Sequence, residues 1–205
     1  MSRAPLGVLL AGGAATRMGG RAKGLLPLGT GRVMDASLAA LHAVCECVVI
    51  ASNADDAATW AAGHEVVRDA VPGLGALGAI RTALVAGETH AAGTIVACAW
   101  DMPGVTATLL AACHDALVAD DARDSVLPVH DGVLEPLCGA WRPRVRATCD
   151  AALAAGTRAV HAFVTSLRWH ALTGEALASC GDAARLFLNV NTDDDLRVAA
   201  ARLAR

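Results

Sequence analysis

The sequence predicts an α/β protein: a three-layer α/β/α arrangement around a mostly parallel central sheet. Three observations carry that expectation. Apolar β-type runs and helix-spaced segments alternate from the N-terminus in the order β-α-β-α-β, the pattern of a parallel sheet with right-handed crossovers. The best of these runs lack in/out alternation, as strands covered on both faces do. Finally, 205 residues with 55% hydrophobic and 18% charged side chains can bury a substantial core, expected as a single domain over residues 1–205.

The first strand is the apolar run Gly7-Val8-Leu9-Leu10, which feeds directly into Gly12-Gly13. A second pair, Gly19-Gly20, lies between Arg17 and Lys23. Glycines without Cβ let a ligand approach the main chain. Such a loop can bend N–H groups around a triphosphate while Arg17 and Lys23 meet its charge. The plainer reading is a turn with two solvated cations. A Walker A loop is excluded, because neither the glycine before Lys23 nor the Ser/Thr after it is in place.

Downstream, Arg32 to Val44 carries Val33, Met34, Leu38, Leu41 and Val44 at helical spacing. Cys47 to Ala51 is a compact strand, stopped by the turn formers Ser52 to Asp56. A short helix to about Ala62 precedes a third strand, Glu65 to Asp69. Next comes Gly73-Leu74-Gly75-Ala76-Leu77-Gly78, opening a helix through Ile80, Ala83 and Leu84. Its glycines satisfy G-x-G-x-x-G, with Asp101 roughly 20 residues on, but that motif should follow the first strand immediately. Here three strands already stand upstream, so the nicotinamide reading is set aside.

Gly93 to Ala99 is the best central strand, and it ends at Trp100-Asp101-Met102-Pro103. Ligands of open α/β sheets gather at the carboxyl ends of strands, so a carboxylate there suits a magnesium ion; a plain turn before proline is the alternative. Leu109 to Val118 follows as a helix and Ser125 to Val129 as a strand. His130-Asp131-Gly132 then turns into Leu134 to Gly139. His130 is either a general base or an exposed turn histidine. Arg142, Arg144 and Arg146 either meet a phosphate or solvate the next helix. Arg158 to Val164 reads as a helix, Leu167 to Leu172 as an edge strand, and Thr192 with Asp193, Asp194 and Asp195 as the start of a last helix.

Net charge of −3 gives no support for nucleic-acid binding. No apolar run is long enough to cross a membrane as a helix. Seven scattered cysteines, without CxxC spacing, suit reduced thiols in the cytoplasm better than a disulfide framework or a zinc site. Cys45 and Cys47 are expected on one face of a strand as buried, inert thiols.

Taken together, LAGG (Leu10 to Gly13), RMGG (Arg17 to Gly20), Lys23 with its following leucines, D-x-P at Asp101, EPL at Glu135 to Leu137 and NVNTDDDL from Asn189 resemble the molybdenum cofactor guanylyltransferases. The resemblance spans essentially the whole chain. It departs from the family pattern at Ala76 and Asp193, where proline is usual. It implies a Rossmann-like nucleotidyltransferase fold and transfer of GMP from GTP to the terminal phosphate of molybdopterin, with Mg2+ as cofactor. By that similarity Leu10, Ala11 and Gly12 contact the guanine through their backbones, and Asn53 and Asp69 complete the nucleotide pocket. Lys23 and the loop of Gly13, Arg17, Gly19 and Gly20 hold the triphosphate. Asp101 binds the metal, and Asn189 and Asn191 shape the acceptor pocket. Molybdopterin-delivering proteins are the implied partners. Gly12 stands where cytidylyltransferase relatives carry alanine, whose methyl would crowd a purine edge. The rival readings are that cytidylyltransferase, a guanylyltransferase for a cobalamin precursor, a sugar-phosphate nucleotidyltransferase, and a GTP-binding regulator without turnover.

Overall fold

The structure, a computed structural model, describes residues 4–12 and 22–203. Strands β1 (Leu6–Leu10), β4 (Cys47–Ala51), β5 (Glu65–Val67), β6 (Ile95–Ala99), β7 (Ser125–His130), β9 (Cys138–Trp141) and β10 (Trp169–Leu172) form one sheet in the order β10-β7-β9-β6-β1-β4-β5. Among these seven strands all pairings are parallel except those of β9, which runs antiparallel between β6 and β7. The expected mostly parallel α/β/α architecture is what the chain adopts. Among the described residues, no helix is long and apolar enough to cross a membrane.

Both sheet faces are covered, which is why the strands read as unbroken apolar runs. Leu9, Ile50, Val96 and Cys98 point to one side and pack under helices α1 (Val33–His42) and α4 (Ala107–Val118) through Met34, Leu41, Leu109 and Leu117. Val8, Leu10, Val49, Ile95 and Ala97 point to the other. There they meet α3 (Gly75–Thr89), α5 (Arg146–Ala154) and α6 (Val160–Val164) through Leu77, Ile80, Leu84, Cys149 and Phe163.

A third, smaller cluster docks the C-terminal helix α9 (Asp193–Leu203). Val190 and Ala199 pack on Leu26 and Val33, beside the hairpin of β2 (Pro27–Leu28) and β3 (Gly31–Arg32). Ala199 is the buried residue of α9, so its hydrophobic anchoring is slight. Its N-terminal cap is therefore a comparable contribution, at about 0.5–2 kcal/mol. The Thr192 hydroxyl accepts from the Asp195 N–H at 3.1 Å, and the Asp195 carboxylate accepts from the Asn191 and Thr192 N–H groups at 2.9 and 2.8 Å. Slight burial pulls that carboxyl upward, but these donors outweigh it and hold Asp195 below the usual range.

Several expectations are corrected. The turn at His130-Asp131-Gly132 does lead into a returning strand, β8 (Val133–Leu134) on β7, but the expectation lacked the next step, in which Cys138–Trp141 inserts as an antiparallel strand between β6 and β7. Cys45 and Cys47 do not share a buried strand face. Cys45 precedes β4 and is buried, its thiol pushed up to about 12 chiefly by desolvation, whereas Cys47 opens β4 and is exposed. The β2–β3 hairpin and the short helices α7 (Gly174–Ala178) and α8 (Ala183–Leu186) have no counterpart in the sequence reading.

Candidate active site

Register brings the site together. Leu10 lies opposite Ala51 on one side and Ala99 on the other, and Ala51 lies opposite Val67. The four parallel strands β5, β4, β1 and β6 therefore end level, and the loops carrying Asp69, Asn53, Gly12 and Asp101 leave from one rim. A cavity of about 490 Å³ opens there, lined by Leu10, Gly12, Lys23, Asn53, Asp69 and Asp101, with Gly73, Gly75, Ala76 and Leu137 closing it. Gly13, Arg17, Gly19 and Gly20 lie outside the described residues.

Lys23 opens a single 3-10 turn, Lys23–Leu25. Its ammonium stands 3.8 Å from the Asp101 carboxylate and donates to Asn191 Oδ1 at 2.6 Å. Both members of the ion pair are largely screened from solvent, at 15% and 18% side-chain exposure. Burial pushes the Asp101 carboxyl above its ordinary range, and the Lys23 charge offsets only part of that shift. The backbone behind Asp101 is fixed twice: its carbonyl accepts from the Val190 N–H at 2.8 Å, and the buried Ser37 hydroxyl donates to the Met102 carbonyl at 2.9 Å.

Trp100, unremarked in the sequence beside its acidic neighbour, joins the two halves. Its backbone N–H donates to the Leu10 carbonyl at 3.2 Å, and its ring lies under the Lys23 turn. A Cβ on Gly24 would sit 2.3 Å from the indole Cε3, so only glycine fits at that point. Trp60 also packs against Trp100, ring centroids 5.6 Å apart.

On the opposite wall, Asn53 and Asp69 clasp each other. The Asn53 amide donates to Asp69 Oδ2 at 2.7 Å, and the Asp69 N–H donates to Asn53 Oδ1 at 2.8 Å. Thr82, a residue the sequence reading did not single out, completes the arrangement by donating to Asp69 Oδ1 at 2.5 Å. Ala11 is buried and its N–H is already spent on the Ala51 carbonyl at 2.9 Å. That donor is therefore closed to a base, whereas Leu10 and Gly12 line the cavity.

The two asparagines of NVN part company. Asn191 holds Lys23, whereas Asn189 lines a second cavity of about 280 Å³ that shares Ala76, Ala99 and Leu137 with the first. Glu135, Arg158 and His161 also line this second space. His130 lines neither cavity; it pairs with Asp131 at 3.2 Å and lies near Phe187. Arg142, Arg144 and Arg146 line neither cavity and pair with Asp121, Asp124, and Glu88 with Asp150, respectively. Their charge is used within the scaffold.

Among the described residues, no three His, Cys, Asp or Glu side chains converge as a metal cage. Magnesium seldom uses one: it keeps water and binds through one or two carboxylates plus substrate phosphates. Of the two carboxylates on the cavity wall, Asp69 is taken up by Asn53 and Thr82, and Asp101 fits a cation carried in with a triphosphate.

The MobA-like NTP transferase domain matches residues 7–172 of this chain. A probable molybdenum cofactor guanylyltransferase of Chloroflexus aggregans is 33% identical over 200 residues, covering 96% of this chain and 94% of the relative. A molybdenum cofactor guanylyltransferase of Bradyrhizobium is 33% identical over 97% of this chain and 92% of its own. The structure of molybdopterin-guanine dinucleotide biosynthesis protein A from Archaeoglobus fulgidus superposes with a TM-score of 0.81 at 23% identity, over 97% of this chain and 98% of that one, and so shares the fold. On the match of its sequence along nearly its whole length, the chain belongs to the MobA-like nucleotidyltransferases, within the molybdenum cofactor guanylyltransferase family.

Proposed function

We infer that the protein transfers GMP from GTP to the terminal phosphate of molybdopterin. A phosphate oxygen of the acceptor forms a bond to the α-phosphorus of GTP, the bond from that phosphorus to the β-bridging oxygen breaks, and its electron pair leaves on pyrophosphate. The observation that carries this reading is the convergence of Lys23 and Asp101 in the larger cavity, directly beside the smaller one.

Each group has a task that its position supports. A phosphate monoester is already largely ionised near neutral pH, its second pKa being about 6, so the attacking group needs no strong base. That agrees with a site built on Lys23, Asp101 and amides, with no histidine among the described residues that line it. What the reaction needs is alignment and cancellation of crowded negative charge. The Lys23 ammonium, held by Asn191, places a fixed positive charge against the triphosphate. Asp101 would hold a divalent cation, Mg2+, which when bound neutralises phosphate charge and polarises the reacting phosphorus. Leu10 and Gly12 face the base, and Asn53 and Asp69, locked by Thr82, form the far wall of the nucleotide cavity. Gly12 favours a purine, because no described residue stands within 4 Å of where its Cβ would be and Gly12 lines the cavity, so an added methyl would take up ligand space.

The test is to incubate the purified protein with Mg2+, molybdopterin and either GTP or CTP, measuring pyrophosphate and the nucleotide-bearing pterin. GTP yields both in equal amount, and chelation of the cation stops the reaction. Preference for CTP would select a cytidylyltransferase, and GTP binding without product a regulator.

A further inference from the structure

Thr82 sends its hydroxyl in a direction its own helix does not require. A threonine inside a helix commonly bonds back to the carbonyl four residues earlier, as Thr89 of α3 does by donating to the Val85 carbonyl at 3.0 Å. Thr82, in the same helix and only 5% exposed, donates instead to Asp69 Oδ1 at 2.5 Å. It does not line the nucleotide cavity. It lines a separate small space of about 90 Å³ between β5 and α3, so its route to a nucleotide runs through Asp69.

That bond completes a set of three that leaves Asp69 one orientation. Its Oδ2 accepts from the Asn53 amide, its Oδ1 accepts from Thr82, and its N–H donates to Asn53 Oδ1. A carboxylate offers about four acceptor positions, and these bonds leave one on each oxygen while Asp69 lines the cavity. The strand order says which part of a nucleotide meets them. Asp69 and Asp101 leave the rim from β5 and β6, which stand three places apart, roughly 14 Å at about 4.8 Å per strand. With the phosphates at Lys23 and Asp101, the nucleoside end reaches Asp69.

We propose that Thr82 is a positioning residue for nucleotide recognition, aiming the Asp69 carboxylate so that it accepts from an N–H of the base or an O–H of the ribose. This rests on the guanylyltransferase reading above, and it ties nucleotide affinity to a side chain that lies behind the cavity wall. A carboxylate already held in one rotamer has little side-chain freedom to lose when the donor arrives.

The experiment compares the full-length protein with Thr82→Val, which keeps the branched shape and removes the donor, and Thr82→Ser, which keeps the donor. Each is first checked for native circular dichroism. Binding in the presence of Mg2+ is measured by calorimetry for GTP and for analogues each short of one donor. ITP and N1-methyl-GTP lack an N–H group of the base; 2′-deoxyGTP and 3′-deoxyGTP lack a ribose hydroxyl. KM and kcat are measured alongside with molybdopterin. Thr82→Val weakens GTP binding and raises the GTP KM about tenfold, the size of one lost hydrogen bond to a charged group. Its kcat and molybdopterin KM stay at the wild-type values, and Thr82→Ser restores wild-type GTP affinity. The wild-type preference for GTP over one analogue shrinks in Thr82→Val, and that analogue identifies the donor that Asp69 receives. Unchanged GTP affinity in natively folded Thr82→Val, with turnover intact, would overturn the assignment while leaving the transferase reading standing. Weaker GTP binding with every preference kept would also overturn it, because a generally loosened cavity discriminates as before. A wild-type protein that makes no guanine–pterin product would refute the reading itself, and the assignment with it.

Discussion

The Lys23 ammonium donates to Asn191 Oδ1 at 2.6 Å across 168 positions of sequence. That bond ties the start of the chain to its end at the point where charge must be cancelled. An unanchored lysine side chain has about 2 kcal/mol of rotamer entropy to lose when it engages a phosphate. Asn191→Ala therefore lowers kcat about tenfold, since 1.4 kcal/mol corresponds to a factor of ten, with the molybdopterin KM little changed. Lys23→Ala lowers kcat by about 10²–10³, the cost of removing one preorganised donor. Steady-state kinetics of the two variants check this, and a molybdopterin KM that rises in Asn191→Ala would place Asn191 on the acceptor instead.

Two glycines of the site answer differently to the same added methyl. Gly24→Ala drives a Cβ into the face of Trp100, where the ring, already packed on Trp60, has little room to yield. Overpacking of this kind costs about 1–3 kcal/mol, read as a lowered urea midpoint. Gly12→Ala points into open cavity. It leaves the unfolding free energy within about 0.5 kcal/mol of wild type and raises the GTP KM.

Asp124 anchors the far end of the sheet. Its carboxylate accepts from Arg144 Nε at 3.0 Å and from the Arg168 N–H at 3.0 Å, and sits 3.5 Å from the Arg168 guanidinium. Burial works against ionisation, but these donors and charges prevail and hold the carboxyl below its ordinary range. A depressed folded pKa gives stability that is fully present above the unfolded value, near ~3.9, and is lost as pH falls through the folded one. Asp124→Asn is less stable than wild type by about 1–3 kcal/mol at pH 7, and the gap closes as pH drops below 4. Urea melts at pH 7 and pH 3 measure it.

What could be read from the sequence follows how local the signals are. The parallel strands were legible because burial on both faces writes itself as unbroken apolar runs, as in Cys47–Ala51 and Ile95–Ala99. Asp101 was legible because a proline two residues on marks where its strand ends. The insertion of Cys138–Trp141 was not, because a short antiparallel strand between β6 and β7 is selected by pairing partners far away in sequence. The roles of Thr82 and Trp100 depend on which rim their elements reach, and a helix threonine or a strand-end tryptophan carries no local mark of that. The division between Asn189 and Asn191 is of the same kind: two residues apart, they face different neighbours because the segment turns toward the capped start of α9.

The central claim is that Lys23 and Asp101, 3.8 Å apart, act on a single bound nucleotide. It is tested most directly by kcat/KM for GTP in wild type, Lys23→Ala, Asp101→Ala and the double variant. Groups that act as one unit are strongly non-additive, so the double variant should be no more than about threefold worse than the poorer single variant. Losses that multiply, each substitution costing its full factor in the presence of the other, would contradict the claim and separate the two residues functionally.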